Sequence, residues 1–570
     1  MNRVSIVSLI ICILIFCVAF IINAQTINVH SVASVGNSVK SDIKLHDRAE
    51  KWADSVMSTL SVRDRVAQLF VPRLDISNNS AGFKVIDRVV VKDKMGGFLL
   101  GKGTIASYAD LINYGQEKAD VPLMITLDGE WGLSMRVSGT PRFPYNVALG
   151  ACADNDLLYE YGKEIARECK VMGIQVNFAP DIDVNSNPDN PVIGYRSFGE
   201  DPDLVAQLGA AYSKGMWEGG VMPVGKHFPG HGDTSTDSHK TLPTINHTRQ
   251  RLDDVDLRPF KLAFAEGMPG VMVAHLKVPS LDPTGTPASL SKKITTDFLQ
   301  DSLGFKGLIF TDALAMKGAS RVNENNCVSA FLAGADILLG SAAPSSDLDA
   351  VEEAVKSGKI SQIELNRRCK KVLVYKYKLG LSTKPTKIES SVLLSKLHTP
   401  QVDRLLTNLS RKAITVVSDN ARLLPIEKNK KVVVVSLAAQ GSNKFSDLCK
   451  EYCGADRYGK LSASVLNEIK SADIVIIGVF NSGVETKKAI STIAAANPST
   501  VGVFFMNPYR VSKFSNLKSL SSIVLAYDDI PHLRVAAAEA LTGKINVNGK
   551  LPINLPNVGK IGDGIVVNKK

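Results

Sequence analysis

From about residue 45 to residue 382 the chain alternates short apolar runs with helix-length amphipathic segments, and that alternation limits what it can fold into. Eight runs can be counted: Gln68 to Leu74, Gly97 to Leu100, Leu123 to Leu127, Gln175 to Phe178, Val221 to Val224, Val271 to Ala274, Leu308 to Phe310 and Ile337 to Leu339. A strand that is apolar on both faces must be covered on both, and the helical segments between the runs are the natural covers. The pattern therefore predicts repeated βα units and a parallel sheet, closed as a (β/α)8 TIM-like barrel. In that architecture every strand C-terminus faces one mouth, where the chemistry is done. Five of the runs end in or close to polar or charged residues: Asp128, Asp181 with Asp183, Lys226 with His227, His275, and Asp312. An aspartate after a strand is also a common helix N-cap, but so many such endings around one mouth predict a single site.

The rhythm fails from Leu381 to about Asn429, and the stretch from Thr383 to Thr399, with Pro385 and Pro400 near its ends, reads as part of a linker region over 383–430. Buried-strand runs resume at Val432 to Leu437, Asp473 to Val479, Thr500 to Met506 and Ser522 to Ala526, with helical segments between them. Residues 431–570 are thus expected to form a smaller α/β layered domain. The whole chain belongs to the α/β class, with the barrel over 45–382.

At the N-terminus, Arg3 is followed by an apolar stretch from Val4 to Ile22 and then Asn23-Ala24, which reads as a secretory signal over residues 1–24 cleaved before Gln25, with a polar segment over 25–44. The stretch is also long enough for an uncleaved membrane anchor, so a cleaved and an anchored chain both fit; either way the protein is expected to be exported, periplasmic or extracellular. Cleavage leaves Cys152, Cys169, Cys327, Cys369, Cys449 and Cys453, too few for a disulfide scaffold. Cys449 and Cys453 fit either a disulfide or two neighbours on a helix. Lys and Arg outnumber Asp and Glu by 67 to 56, but the excess is spread along the chain without a basic, aromatic-interleaved run, which excludes nucleic acid as the expected partner.

The densest cluster of chemistry is KHFPGHGDTSTDSHKTLP, Lys226 to Pro243, where His227, His231, Asp233, Asp237 and His239 stand among glycines and small hydroxyl residues. Three readings fit these residues. A metal could take His, His and Asp as ligands, although no HExxH-like helical spacing is present. Asp237 could orient and polarise His239 as a general acid/base, since imidazole titrates near neutrality unaided. A solvated polar loop is the third.

This stretch resembles glycoside hydrolase family 3, and specifically its bacterial β-N-acetylglucosaminidase branch, whose motif KHFPGHG followed by D-S-H stands here as Lys226 to Gly232 and Asp237-Ser238-His239. Asn177 to Pro202 (NFAPDIDVNSNPDNPVIGYRSFGEDP), Phe143 to Ala151 (FPYNVALGA) and Gly307 to Met316 (GLIFTDALAM) are similar to the family as well. The resemblance runs closely from about Lys51 to Tyr377. It continues more loosely through Lys412 to Pro425, Asn507-Pro508-Tyr509 and the closing Gly549 to Pro552. It implies an exo-acting retaining glycosidase that removes terminal β-linked N-acetylglucosamine from cell-wall fragments or other glycans through a covalent glycosyl-enzyme. By the same resemblance Asp312 is the nucleophile, His239 the acid/base with Asp237 its partner, and Asp128, Arg196, Lys226 and His227 bind the terminal sugar. His275 would line the site. No cofactor or metal is implied.

Departures from the family pattern are Trp131 in Asp128-Gly129-Glu130-Trp131-Gly132, where D-x-E-G-G is common, and Ala313 where a second aspartate often follows the nucleophile. Other readings of the same fold are a β-glucosidase or xylosidase, with Glu485 a candidate acid by location only, and a glycoside phosphorylase. A catalytically silent glycan-binding protein would call for loss of Asp312 or His239.

Overall fold

The computed structural model describes residues 44–75, 79–236, 241–319, 324–439 and 443–570, and in it each of the eight apolar runs contains a strand. These are β1 (in two pieces, Phe70–Val71 and Arg73–Leu74), β2 (Gly97–Leu100), β3 (Met124–Leu127), β4 (Val176–Asn177), β5 (Met222–Phe228), β6 (Gly270–Val273), β7 (Leu308–Thr311) and β8 (Leu338–Leu339). All pair in parallel, each with the next in sequence. A bridge between Phe310 and Ile337 joins β7 to β8, and β8 pairs with Phe70–Val71, so the sheet closes on itself. Pro72 divides β1: the first piece pairs with β8 and the second with β2, while the Pro72 carbonyl still accepts from the Leu99 N–H at 2.9 Å. A proline is tolerated here because the missing N–H falls where the strand changes partner.

The covering helices start where short polar side chains take up free backbone N–H groups. Asp154 accepts from Leu157, Asp201 from Asp203 and Leu204, Asn325 from Cys327 and Val328, and Ser361 from Glu364. Their apolar faces join the strands in one continuous core that includes Phe98, Phe178, Phe228 and Phe310.

The second domain is a six-stranded sheet with the order β9-β14-β13-β12-β10-β11, built from β9 (Thr415–Asp419), β10 (Val432–Leu437), β11 (Asp456–Tyr458), β12 (Ile474–Val479), β13 (Thr500–Phe504) and β14 (Ser522–Leu525). Only β9 runs antiparallel to its neighbour. The stretch 383–430 holds two helices, Ser390–Leu397 and Pro400–Ala413, and then β9, so the second sheet begins inside it. Cys449 and Cys453 are buried free thiols one turn apart on the helix Lys444–Cys453, with the Cys453 thiol 3.0 Å from the Cys449 carbonyl. Among the described residues no helix is long and apolar enough to cross a membrane. The N-terminal signal and polar segment, apart from Lys44, lie outside the described residues, as do Asp237 and His239.

The two domains share a stitched interface. Glu200 accepts from the Tyr509 hydroxyl at 3.0 Å and from the backbone and side-chain amides of Asn554 at 3.0 and 2.8 Å. Its own N–H reaches the Pro552 carbonyl at 3.0 Å, and Lys550 N–H reaches the Ala151 carbonyl at 3.2 Å. A Cβ on Gly199 would collide with the Pro552 carbonyl, so glycine permits this approach. Val147, Ala148 and Ala151 of the barrel pack into the second domain's core.

Beneath β1 the fully buried amine of Lys376, on the helix Gln362–Lys378, donates to Gln68 Oε1 at 2.7 Å. Burial pushes this lysine down to about 7 from its ordinary 10.5. Between those values the unfolded chain binds more protons than the folded one, so stability is lost as pH falls from 10.5 toward 7. Lys376→Met should flatten that dependence. Urea unfolding across this range should show the parent losing up to about 1.4 kcal/mol per pH unit relative to the variant.

Candidate active site

The loops at the C-terminal ends of β3 to β7 build one charged floor. Asn177, ending β4, accepts from the Gly129 N–H at 2.8 Å and donates to the Gly129 carbonyl at 3.0 Å, which fixes the turn after β3 and aims Asp128 and Glu130 at the same partner. That partner is Lys226 on β5, whose ammonium lies 3.0 Å from Asp128 Oδ1 and 2.8 Å from Glu130 Oε1. Arg196 grips both oxygens of Glu130, Nε to Oε2 at 2.9 Å and Nη2 to Oε1 at 2.7 Å. Arg136 adds a contact to Asp128 Oδ2 at 3.2 Å.

Arg196 arrives on a loop braced by its own asparagines. Asn185 Oδ1 accepts from Gly194, Asn190 Oδ1 from Val192 and Ile193, and Asn185 Nδ2 donates to the Tyr509 hydroxyl of the second domain at 2.7 Å. At the root of the loop, Asp183 receives the backbone N–H groups of His227 and His231, at 3.2 and 2.7 Å, and the His227 ring at 2.7 Å. A carboxylate already held by two N–H donors takes Nδ1–H, so the His227 Nε2 lone pair turns to Arg196 Nη2, 3.3 Å away. His231 hydrogen-bonds Thr234 Oγ1 at 2.8 Å, and a Cβ on Gly232 would strike the Val184 carbonyl. Gly232 thus lets the loop press onto the stretch that follows β4.

The electrostatics follow from burial and from these pairings. Burial by itself would raise Glu130, but the charges of Arg196 and Lys226 override it and hold the carboxyl well below its ordinary range. Asp128 is likewise held low against burial, by Lys226 and Arg136. Asp181 goes the other way: burial and the neighbouring Asp183 push it up, Arg196 lies 3.5 Å from its Oδ2, and among the described residues that oxygen has no hydrogen bond. Asp183 rises to about 6 through burial, offset by the N–H donors of His231 and His227. Burial, with Arg196, lowers His227 to about 4, so the ring is neutral near pH 7. Ligand atoms of Asp181, Asp183 and His227 come within 4.8 Å of one another, and Arg196 is the cation that faces the set.

Asp312 follows β7, half-buried, and its Oδ1 accepts from the Ala313 N–H at 2.7 Å. Its Oδ2 carries no hydrogen bond or ion pair with the described residues. Burial opposes ionisation of this carboxyl, yet His275, His227, the Ala313 N–H and Lys226 prevail and keep it below its ordinary value. His275, after β6, bonds Ser289 Oγ at 2.6 Å and the Ala313 carbonyl at 3.0 Å, which steadies the residue following Asp312.

Asp128, Arg196, Lys226 and His227 therefore meet in one network, with Asp312 and His275 beside it. Sequence reasoning gave no role to Glu130, Asn177 or the interdomain pair Arg142–Asp528, whose ions lie 2.9 Å apart, and named Asp183 only as one of the strand-end carboxylates. Glu130 and Asp183 did carry a signal, each standing two residues from another strand-end carboxylate. Glu485 is elsewhere: its side chain is 87% exposed and pairs with Lys488 at 3.3 Å. Asp233 accepts from His247 Nε2 at 2.6 Å and so anchors the root of the loop that leads to Asp237 and His239.

The N-terminal domain model of glycosyl hydrolase family 3 matches residues 61–374. A beta-hexosaminidase A of Pseudoalteromonas piscicida is 33% identical over 383 residues, 61% of this chain and 63% of that protein, so the chain spans less than two thirds of that relative. A beta-N-acetylglucosaminidase/beta-glucosidase of Cellulomonas fimi is 25% identical over 554 residues, 90% and 96% of the two chains. Among solved structures, a glycoside hydrolase family 3 beta-N-acetylglucosaminidase from Paenibacillus sp. str. FPU-7 superposes with a TM-score of 0.75 at 30% identity, covering 87% of this chain and 99% of that one.

Glu130→Gln should cost about 3–5 kcal/mol of stability at pH 7, because it strips a buried arginine and lysine of the carboxylate they share. The lost contribution is present above the ordinary Glu value of 4.5 and fades as pH falls below it, so the gap between parent and variant should narrow in acid. Denaturant titrations at pH 7 and pH 3.5 check both points.

Proposed function

The chain belongs to glycosyl hydrolase family 3, and from that premise we propose that it is an exo-acting retaining β-N-acetylhexosaminidase that releases terminal N-acetylglucosamine from glycans or cell-wall fragments. The observation that carries the assignment of roles is that, among the described residues, Asp312 Oδ2 makes no hydrogen bond or ion pair, on a half-buried, ionised carboxylate in a mouth whose other described carboxylates are paired or fully buried. The hexosaminidase names of the relatives support the amino sugar.

In this mechanism Asp312 attacks the anomeric carbon while the bond to the leaving oxygen breaks, and that oxygen takes a proton from His239, which Asp237 orients. Water then gives its proton back to His239 and displaces Asp312 from the sugar, so the anomeric configuration is retained. Asp128 accepts from sugar hydroxyls, and Lys226 and Arg196 donate to them. His227, neutral with its Nδ1–H spent on Asp183, steadies Arg196 through Nε2 and lines the same region. The roles of His239 and Asp237 rest on the D-S-H motif. Export rests on the apolar N-terminal segment.

Asp312→Asn should lower kcat/KM for an aryl β-N-acetylglucosaminide on the order of 10⁴-fold or more while leaving the melting temperature little changed. The parent should turn over that substrate faster than the matching aryl β-glucoside. The Cellulomonas relative, named for both activities, makes this comparison decisive, and a faster glucoside reaction would refute the amino-sugar reading.

A second series tests the acid. His239→Ala should depress turnover most for aglycones of high pKa and least for those that depart unprotonated, which steepens the dependence of kcat/KM on leaving-group pKa. Equal slopes in parent and variant would remove His239 from the role. Glu485→Gln should leave the slope unchanged.

A further inference from the structure

Beside the charged floor stands a group of aromatic rings that the chemistry above does not use. Trp131 adjoins Glu130 and Tyr195 adjoins Arg196, so the bidentate ion pair between Glu130 and Arg196 also fixes these two rings side by side. Their centroids are 6.1 Å apart, and Tyr145 completes the group at 4.9 Å from Trp131, edge to face, and 4.3 Å from Tyr195. The Arg142 guanidinium lies 4.5 Å from the Tyr145 centroid and 6.0 Å from that of Trp131, and its ion pair with Asp528 ties the group to the second domain. Glu130 is fully buried and Lys226 almost so, whereas all three rings are half-buried.

Two features separate this group from ordinary core. The rings keep part of their surface open, and among the described residues neither the Trp131 N–H nor the Tyr195 hydroxyl makes a hydrogen bond, so both polar edges remain for a ligand. A contiguous set of half-exposed rings beside the charged residues also marks a contact surface, with Tyr145 and Tyr195 resting in part on the second domain's core. Flat apolar faces bordered by unspent polar edges match a pyranose ring, which has C–H groups on its faces and hydroxyls around its edge. Lys226 and Glu130 are buried while the three rings are half-buried, so the rings stand further out than the terminal sugar's donors, toward the next unit.

We propose that Trp131, with Tyr195 beside it, is the platform for the sugar on the leaving-group side of the scissile bond, and so selects glycan aglycones over simple ones. This rests on the exo-glycosidase reading above. The test compares kcat/KM for N,N′-diacetylchitobiose and methyl β-N-acetylglucosaminide in the parent, Trp131→Ala and Trp131→Phe. Both substrates have poor, non-aromatic leaving groups and share the terminal sugar, so their ratio isolates the second ring.

The ratio should fall on the order of tenfold in Trp131→Ala, mainly through KM for chitobiose, and return toward the parent in Trp131→Phe. An unchanged ratio in Trp131→Ala, or an equal loss on both substrates, would overturn the proposal. Independently of that variant's folding, chitobiose but not the methyl glycoside should alter tryptophan emission in Asp312→Asn, and no difference between them would count against it. A parent that cleaves only glucosides would refute the amino-sugar reading and leave the platform testable with cellobiose and methyl β-glucoside.

Discussion

The mouth of the barrel depends on the Glu130 carboxylate. Two cations reach it, the half-buried Arg196 through Nε and Nη2 and the buried Lys226 through its ammonium, and each comes from a different stretch of chain. Charges taken out of water are stable only when their partners are close and well aligned, so this arrangement tolerates little displacement of any member. The turn after β3, the long loop after β4 and the strand β5 are consequently held to one another by electrostatics as well as by the sheet. Asp128, shared with the same lysine, and His227, set by Asp183 and facing Arg196, inherit their positions from it. An active site assembled from loops is normally prone to drift; here the charges act as its rigid frame.

The barrel was legible because its signal is repetitive. Each predicted run contains a strand, with bounds displaced by a few residues at most, since a strand covered on both faces must be apolar throughout and the helices between supply contrast. β9 was not legible. Thr415–Asp419 is a lone antiparallel edge strand, only two of whose five residues are buried, and it follows a helix rather than starting a new βα rhythm. β11 (Asp456–Tyr458) escaped for a similar reason, being a short, polar sheet edge. At the site, strand-end residues announced Asp128, Lys226, His227, His275 and Asp312. The residues that hold them in place did not stand out, because Asn177 works through a backbone amide and Glu130 by capturing an arginine from another loop, relations that exist only in three dimensions.

The family-like segments also divide by role. NFAPDIDVNSNPDNPVIGYRSFGEDP carries one predicted sugar-binding residue, Arg196, with Asn177, Asp181 and Asp183 beneath it; its asparagines shape the loop that delivers Arg196, while its last residues meet the second domain through Glu200. FPYNVALGA contributes Val147, Ala148 and Ala151 to the other domain's core, and the closing Gly-Lys-Leu-Pro rests on both segments. Much of what makes the sequence recognisable therefore records how the two domains hold each other around the mouth, and through Asn185–Tyr509 and Arg142–Asp528 the second domain reaches the loops that shape it.

The split first strand has a consequence for synthesis. Phe70–Val71 finds its partner only in Leu338–Leu339, so a nascent chain leaving the ribosome carries an open sheet with two raw edges until almost the whole barrel has been made. The contacts from Pro552 and Asn554 to Glu200 come later still. A chain of this topology spends its early life with long-range pairings unmet and apolar edges available to other chains. Translocation in an extended state, or a chaperone that covers those edges, would spare it that exposure, whereas truncation before Leu339 would leave a fragment with no means of closing.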